Sequence, residues 1–257
     1  MTNRPLAILT GASAGIGTAL ARVMAADGYD LLLVARRADR LAALAAELPG
    51  THATLPLDLT RDDAGETLAR HVEALDRPVD VLVNNAGFGD AGPFAETDLA
   101  PQLGMVDLNI RALVELTHRL LPGMLQRGHG GIINIASTAA FQPGPNMAVY
   151  YASKAFVLSF SEALYEECRP SGVTVCAICP GPTDSEFGEI SGLAKHRVFK
   201  TVKRMTSEAV AEIGWRGFKK RRRVVITGTT NRLVAGVAKA SPHRVVLPVV
   251  KHLQTRD

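Results

Sequence analysis

Short apolar runs alternate with longer segments in which apolar residues recur every three or four positions. The runs are typical of buried strands, and the longer periodicity is typical of helices. We predict strands at Leu6–Thr10, Asp30–Val34, Ala53–Leu57, Val79–Val83, Gly131–Ile135, Val173–Cys179 and Val224–Thr227, and helices at Gly15–Asp27, Arg40–Leu48, Asp62–Leu75, Pro101–Arg127 and Val149–Arg169. This alternation predicts an α/β fold, with a doubly wound parallel sheet of about seven strands and helices on both faces.

Two prolines and one irregular stretch indicate how the chain is organised. Pro101 suits the first turn of the long helix, whereas Pro122 should bend or interrupt that helix near its end. Residues 184–205 are the least regular segment, which suits a mobile flap over a site, although a plain surface loop would give the same pattern. We expect one domain over residues 1–257, with the flap and a basic helical region in 184–223 and the last strand and a C-terminal extension in 224–257.

Composition narrows the class of protein further. No apolar run reaches the roughly 18–20 residues that a membrane-spanning helix needs, and Met1–Leu9 lacks the layout of a signal peptide. Of three cysteines, Cys176 and Cys179 form a C-x-x-C on a predicted strand. Residues three apart on a strand point to opposite faces, and no second pair completes a metal site. We therefore expect structural cysteines, no bound metal and a reducing cytoplasm.

The first predicted strand is followed by a glycine-rich turn with the spacing G-x-x-x-G-x-G. Such glycines permit a tight turn and let the backbone approach a pyrophosphate, which the next helix would bind with its free N–H groups. The turn lacks the Gly-Lys-Ser/Thr of an ATP-binding loop, and its place between a strand and a helix argues against a mere connection. The residues expected to contact a dinucleotide here are Gly11, Ser13, Gly15, Ile16 and Gly17.

The end of the second strand indicates which dinucleotide is bound. An NAD site usually has an acidic residue there for the ribose 2′-hydroxyl, but this chain has Ala35 followed by Arg36 and Arg37. Guanidinium groups suit a 2′-phosphate, so we expect NADP(H) to be preferred over NAD(H); the alternative is a solvated surface pair. Asp58 follows the third strand, where its side chain could contact the adenine.

A tyrosine and a lysine begin the helix predicted at Val149–Arg169. Tyr150 and Lys154 lie four residues apart and project from one helix face. A lysine cation about 4 Å away would favour the phenolate and lower the pKa of Tyr150 from about 10 to roughly 7, which suits a proton donor. Ser137 ends the fifth strand, at the sheet edge where ligands collect, and could hydrogen-bond the same substrate oxygen.

These motifs together resemble those of a known family. The chain is similar to the short-chain dehydrogenase/reductase superfamily over roughly residues 5–185. The matching pieces, in the family's order and at its separations, are TGASAGIG at 10–17, NNAG at 84–87, Asn109, Ser137, Tyr150-x-x-x-Lys154 and PGPT at 180–183. The resemblance implies a Rossmann-type fold and an oxidoreductase that transfers a hydride between a nicotinamide cofactor and a carbonyl or alcohol.

The resemblance implies a role for each matching catalytic residue. Tyr150 would be the general acid/base, and Lys154 would lower its pKa and bind the nicotinamide ribose. Ser137 would orient the substrate oxygen, and Asn109 would hold a water molecule in a proton relay.

Cofactor contacts are implied in the same way. Asn85 and Gly87 would line the adenosine side of the cleft, and Pro180, Gly181 and Thr183 would lie at the nicotinamide end. Arg36 matches the basic residue of NADP-preferring members. Ala14, however, stands where some of those members carry a second basic residue, which leaves Arg36 and Arg37 to hold the 2′-phosphate.

A lipophilic ketone, aldehyde or secondary alcohol is the expected small-molecule substrate. The region after Thr183 is loosely similar to bacterial members grouped with retinol and hydroxysteroid dehydrogenases. Segments 90–94 and 185–199 would form an apolar pocket, although core packing is the alternative for each aromatic residue. Its phenylalanines would be Phe88, Phe94, Phe141 and Phe187. The resemblance also implies a homodimer or homotetramer, because the helices that hold Asn109 and Tyr150 commonly pair between subunits.

Two other classes of function compete with an enzyme. A catalytically silent NAD(P)-binding redox sensor would not need an intact Ser137, Tyr150 and Lys154. A nucleic-acid binder could use the basic run Lys219–Arg223, but this run adjoins a strand and lacks interleaved aromatic residues. No nucleic-acid partner is therefore expected.

Charge is distributed unevenly along the chain. Residues 195–257 carry 16 Lys and Arg against three Asp and Glu, whereas residues 1–194 carry 13 against 22. A basic segment that also holds the apolar residues of 231–253 could make weak peripheral contact with an anionic membrane surface. Pro242 and Pro248 would divide this segment into two short helices. In the alternative, its apolar residues cover the core or a subunit interface.

Overall fold

The computed structural model describes residues 4–192 and 204–254. The apolar runs form seven parallel strands: β1 (Leu6–Thr10), β2 (Asp30–Ala35), β3 (His52–Pro56), β4 (Val79–Asn84), β5 (Gly131–Ile135), β6 (Thr174–Cys179) and β9 (Val224–Ile226). A separate two-stranded parallel ribbon is formed by β7 (Thr183–Asp184) and β8 (Met205–Thr206). The sequence analysis did not predict the ribbon, because two-residue strands have no periodicity.

Helices connect the strands. They are α1 (Gly15–Ala26), α2 (Ala38–Glu47), α3 (Ala64–Ala74), α4 (Leu99–Val106), α5 (Leu113–Arg127), α6 (Ala148–Cys168), α7 (Phe187–Ile190), α8 (Ser207–Lys219), α9 (Thr229–Ala240) and α10 (His243–Leu253). The last two are separated at residues 241–242, as predicted for Pro242, whereas Pro248 lies inside α10 and does not divide it.

The strand order is β3-β2-β1-β4-β5-β6-β9. The chain therefore builds one half of the sheet from β1 to β3 and then crosses over to build the other half from β4. At such a crossover the loops after β1 and β4 diverge and leave a crevice at the carboxyl ends of the strands. The functional site is expected at this crevice.

Helices cover both faces of the sheet, as the buried residues show. On one face Leu20 and Met24 of α1 pack with Trp215 of α8, and on the other Leu68 of α3 packs with Leu116 of α5. This is the Rossmann-type doubly wound α/β fold that the alternation of elements predicts. The two cysteines of the C-x-x-C lie in different clusters, Cys176 on the α1 face and Cys179 with residues of α5 and α6. Both are buried free thiols, as expected from their spacing on a strand.

The helix predicted at Pro101–Arg127 is not a single regular α-helix in the structure. A π-helical segment, Asp107–Ala112, separates α4 from α5. Pro122 lies inside α5, which continues to Arg127, so Pro122 does not interrupt the helix; the bend that was the other expectation stays a prediction. The buried Met124 holds the last turn against the sheet, which offsets the one backbone hydrogen bond that a proline removes.

The predicted flap is described only in part. Residues 184–192 form the end of the β7 strand and the short helix α7, whereas residues 193–203 lie outside the described residues. Among the described helices, none combines the length and the apolar character that crossing a membrane requires.

Candidate active site

The glycine-rich turn lies between β1 and α1 and is built for a close approach of backbone. Gly11 and Gly15 have φ angles of +65° and +54°, which favour glycine. A Cβ on Gly17 would lie 2.1 Å from the carbonyl oxygen of Gly11. Asn85 Nδ2 donates to the carbonyl oxygens of Thr10 and Gly11 at 2.9 and 3.0 Å. Asn85 therefore fixes the shape of the turn from the end of β4.

The N-terminus of α1 fits a pyrophosphate. Its N-cap residue, Ala14, has no side chain that could accept a hydrogen bond from the first N–H groups of the helix. These groups and the positive end of the helix dipole remain available to an anion. Ile16 packs against the core beneath the turn. The turn thus offers what the diphosphate of a dinucleotide needs.

The two arginines after β2 differ in their exposure and in their contacts. Arg36 is exposed, whereas Arg37 donates from Nε and Nη2 to Ser13 Oγ at 3.2 and 3.1 Å. Arg37 also forms an ion pair with Glu186, at 2.8 Å. Burial acts to raise the pKa of Asp58, but hydrogen bonds from Thr60 outweigh it and hold that pKa below its ordinary value.

Ser137, Tyr150 and Lys154 converge at the carboxyl end of β5. Ser137 follows β5 and interacts with the Tyr150 hydroxyl, and Tyr150 and Lys154 project from the first turns of α6. Both α6 side chains are buried, with 8% and 6% of their surface exposed. Lys154 Nζ donates to the carbonyl oxygen of Ile135 at 2.8 Å and lies 5.9 Å from the Tyr150 ring centre. The three side chains that the sequence singled out form one group.

The pKa expected for the tyrosine needs correction. Burial raises the pKa of Tyr150 above its ordinary value, and the interaction with Ser137 opposes this rise only in part. Burial also lowers the pKa of Lys154 to about 8. The sequence argument placed a lysine cation about 4 Å from the phenol and so expected a tyrosine pKa near roughly 7. In the structure desolvation works against both charges and outweighs the effect expected from the lysine.

Asn109 lies in the π-helical segment and binds the chain after β4. Its Oδ1 accepts from the backbone N–H of Phe88 at 3.1 Å, and its Nδ2 donates to Phe88 O and Ser153 Oγ at 3.0 Å each. A Cβ on Gly87 would lie 2.9 Å from Asn109 Oδ1 and 3.5 Å from Lys154 Nζ. Asn109, Gly87 and Lys154 therefore meet, and the water-holding role of Asn109 stays a prediction.

The chain after β6 closes the other side of the crevice. The carbonyl oxygen of Pro180 accepts from Thr138 N at 2.8 Å, and Thr183 Oγ1 donates to Gly181 O at 2.9 Å. A Cβ on Gly181 would lie 2.4 Å from the side chain of Asn231. Asn231 was not singled out from the sequence, because it lies 50 positions from Gly181 in a segment with no recognised motif.

An apolar cluster lies against Tyr150, but its membership differs from the prediction. Phe187 lies 5.3 Å from Tyr150 between ring centres, and Phe88 packs in the same cluster. Phe94 is 62% exposed and Phe141 packs in a different cluster, so neither belongs to it.

Helix α10 supplies further members of this apolar cluster, which the sequence analysis did not predict. Val246 and Val250 are buried in the cluster, and Gln254 Nε2 donates to the Tyr151 hydroxyl at 2.7 Å. No group of His, Cys, Asp and Glu with the arrangement of a metal site occurs in the part of the chain that the structure describes.

Comparison with known proteins defines the class. Residues 5–192 match the family model described as short chain dehydrogenase. The chain is 36% identical over 217 residues to sulfoacetaldehyde reductase 2 of Chromohalobacter salexigens, covering 81% of this chain and 86% of the relative. It is 35% identical over 209 residues to serine 3-dehydrogenase of Agrobacterium fabrum, covering 79% and 84%.

Solved structures agree with this assignment. A short-chain dehydrogenase from Sphingobium yanoikuyae in complex with NADPH superposes with a TM-score of 0.82 at 32% identity, covering 93% of this chain and 96% of that one. The chain belongs to the short-chain dehydrogenase/reductase family. It is an oxidoreductase that acts on CH–OH and C=O groups.

Proposed function

We propose that this chain uses NADP(H) to interconvert a lipophilic ketone or aldehyde and its alcohol. The observation that carries the proposal is the convergence of Ser137, Tyr150 and Lys154 beside a cluster of apolar side chains. A carbonyl oxygen placed between the hydroxyls of Ser137 and Tyr150 would put the rest of the substrate against Phe187 and α10. The catalytically silent sensor is not favoured, because it has no need of this group.

The chemistry follows from these side chains. When bound, the nicotinamide group would supply or accept the hydride. Ser137 would hold the substrate oxygen by a hydrogen bond, and Tyr150 would give its hydroxyl proton to that oxygen as negative charge develops there. Lys154 Nζ would bind the ribose hydroxyls and, as a cation, make the phenol a better acid. The position of Lys154 supports this role, because its Nζ faces Gly87 in the loop after β4, which borders the crevice.

The preference for NADP(H) rests on the residues after β2. Arg37 lies against the glycine-rich turn, and no acidic residue occupies the position of Ala35. Two relatives support the assignment: the Sphingobium enzyme is a complex with NADPH, and a serine dehydrogenase that is 31% identical is a complex with NADP+.

The remaining cofactor contacts are proposed from position. Gly11, Gly15 and Gly17 would hold the pyrophosphate, and Asp58 the adenine. Thr183, beside Pro180 and Gly181, would contact the nicotinamide end. We assign these contacts because the residues lie on the loops that follow the strands and surround the crevice.

A screen of NADPH and NADH oxidation over carbonyl compounds of graded size and polarity tests the function. We expect turnover with NADPH and bulky apolar ketones or aldehydes, at higher kcat/KM than with short polar aldehydes. Equal catalytic efficiency with both cofactors would contradict the cofactor assignment. Activity confined to short polar aldehydes, the substrate class in the name of the Chromohalobacter relative, would contradict the substrate assignment.

We also propose a homodimer or homotetramer. Helices α4 and α6 expose Leu103, Val106 and Phe156, by 54%, 40% and 38% of their surface. These side chains would be covered if the same helices paired between subunits. Light scattering at micromolar concentration should give a multiple of the 27.4 kDa chain mass, and a monomer would contradict the proposal.

A peripheral membrane contact is proposed for α9 and α10. Their outer sides expose Leu233, Val234, Val237, Val245 and Val249, by 57–72% of their surface. Residues 229–254, which hold both helices, carry four Lys and Arg and no Asp or Glu. Two copies of so basic a surface would repel each other, so an anionic lipid surface suits it better than a second copy of the chain.

A further inference from the structure

A carboxylate from a distant part of the chain lies against the basic residues after β2. Glu186, at the start of α7, accepts a hydrogen bond from Nη1 of Arg37 at 2.8 Å, although the two residues are 149 positions apart. Its other carboxylate oxygen pairs with Arg40. Hydrogen bonds from Arg40 and Arg37 hold the pKa of Glu186 below its ordinary value, so the group is an anion at neutral pH.

Arg37 binds the glycine-rich turn at the same time. It donates to both Ser13 Oγ and the Ser13 carbonyl oxygen, so its guanidinium group lies between this turn and Glu186. An arginine in this position after the second strand is the group that accommodates the 2′-phosphate of NADP. Glu186 therefore already uses part of the hydrogen-bonding capacity of Arg37 that the 2′-phosphate would need.

We propose that Glu186 occupies the place of the 2′-phosphate, and that the arriving phosphate displaces it from Arg37. Glu186 is then a specificity-determining residue, because it competes with the 2′-phosphate of NADPH and not with the 2′-hydroxyl of NADH. This inference rests on the NADP(H) assignment proposed above.

The ion pair between Arg37 and Glu186 is weak enough for a phosphate to displace the carboxylate. The side chains of Arg37 and Glu186 are 38% and 37% exposed, and ion pairs this exposed are weak. A phosphate dianion offers more charge and more acceptor oxygens to the same guanidinium group. The carboxylate can therefore hold the arginine in position without blocking the cofactor.

Displacement of Glu186 would affect both the glycine-rich turn and the catalytic tyrosine, because its two neighbours contact them. Its neighbour Ser185 covers the glycine-rich turn, since a Cβ on Gly15 would lie 2.9 Å from Ser185 Cβ. Its other neighbour, Phe187, packs on the ring of Tyr150. Release of Glu186 would thus loosen residues 183–190, which contact both the glycine-rich turn and Tyr150.

Binding of two adenosine nucleotides tests the competition without turnover. The probes are 2′,5′-ADP, which carries the 2′-phosphate, and 5′-ADP, which lacks it. We expect Glu186→Gln to tighten 2′,5′-ADP about three- to tenfold, as loss of one or two partly exposed ion pairs allows, and to leave 5′-ADP unchanged. In an Arg37→Gln background the same substitution should have no effect, because the contested group is gone.

Glu189→Gln is the matched control. Glu189 is exposed on the same short segment, and its replacement changes the net charge equally. Unchanged or weaker binding of 2′,5′-ADP by Glu186→Gln, or equal tightening by Glu189→Gln, would overturn the inference. The NADP(H) assignment fails separately, if the unmodified chain binds both nucleotides alike.

Amide hydrogen exchange tests the release of the segment. In the unmodified protein, 2′,5′-ADP should speed exchange in residues 183–190, whereas 5′-ADP should not. In Glu186→Gln this segment should exchange faster before any nucleotide is added. Exchange that is the same with either nucleotide and in the variant would overturn the coupling.

Discussion

At the scale of single residues, two adjacent tyrosines have different surroundings. The hydroxyl of Tyr150 interacts with Ser137, whereas that of Tyr151 accepts a hydrogen bond from Gln254. Only Tyr150 therefore faces the position proposed for the substrate oxygen.

We expect Tyr150→Phe to reduce kcat by a factor of about 100 to 10,000, the usual size of a lost general acid. Cofactor affinity should change little, because the substitution removes only a hydroxyl. Tyr151→Phe is the matched control and should retain most of the activity while losing some stability. Steady-state kinetics and NADPH titration of both variants check this. An inactive Tyr151→Phe beside an active Tyr150→Phe would show that the assignment is wrong.

Lys154 gives a prediction about stability and pH. Its pKa is lowered from 10.5 to about 8 in the folded chain, so between these pH values the unfolded chain binds the extra proton. The free energy of unfolding should therefore rise with pH through this window, by about 3 kcal/mol from this group.

Lys154→Met removes the titrating group and should remove this rise. Denaturant unfolding of both proteins at pH 7.5, 9 and 10.5 checks the prediction. The quantity compared is the difference between their free energies of unfolding at each pH. Cys176, Tyr150 and Tyr151, whose pKa values burial raises, are present in both proteins and cancel. Both proteins carry Cys179→Ala, because the Lys154 cation lowers the pKa of Cys179 and that pKa would otherwise differ between them. Parallel pH curves for the two proteins would contradict it.

The sequence predicted which residues meet, but not their electrostatics. Tyr150, Lys154 and Ser137 follow from helix geometry and from the rule that parallel strands end at one edge of the sheet. The raised pKa of Tyr150 does not follow, because burial depends on side chains from α7 and α10. The contact of Glu186 with Arg37 was equally hidden, since no local pattern relates residues 149 positions apart.

At the scale of elements, helix α10 has two unlike sides. Val246 and Val250 are buried against the cluster at Tyr150, whereas Val245 and Val249 are 58% and 57% exposed. One side of this helix therefore forms a wall of the proposed substrate pocket, and the other faces solvent.

Val250→Ala should widen the pocket. We expect KM for the best lipophilic carbonyl to rise about three- to tenfold, because an apolar contact is lost, with NADPH affinity unchanged. Val249→Ala makes the same chemical change on the exposed side and should leave KM as it is. If the two variants behave alike, α10 is not part of the substrate pocket.

Long elements were predicted better than short ones. The seven strands of the central sheet and the helices of the first 170 residues follow from periodicity, with bounds shifted by a few residues. The π-helical segment at Asp107–Ala112 and the ribbon of β7 and β8 were missed. Both are produced by tertiary contacts, such as those of Asn109 with Phe88, which no local pattern contains.

At the scale of the whole molecule, the sequence predicted how many basic residues the C-terminal quarter carries, but not which of them face solvent. Of the basic run Lys219–Arg223, Lys219 pairs with Asp27 and Arg223 with Glu162. Part of this run is therefore neutralised within the chain. The basic residues of α9 and α10, beside their exposed apolar side chains, are the better candidates for an external contact.

The membrane proposal predicts co-sedimentation with vesicles that contain phosphatidylserine at low salt, and release as salt screens the charges. Replacing Arg232, Lys239 and Arg244 by Gln should weaken binding, since each basic residue near an anionic surface contributes about 1 kcal/mol. Leu233→Ser with Val237→Ser should weaken it at unchanged charge, which a purely electrostatic attraction would not predict. Vesicles of phosphatidylcholine alone are the control. Equal sedimentation of all variants, or none with anionic vesicles at low salt, would mean that these helices do not bind lipid.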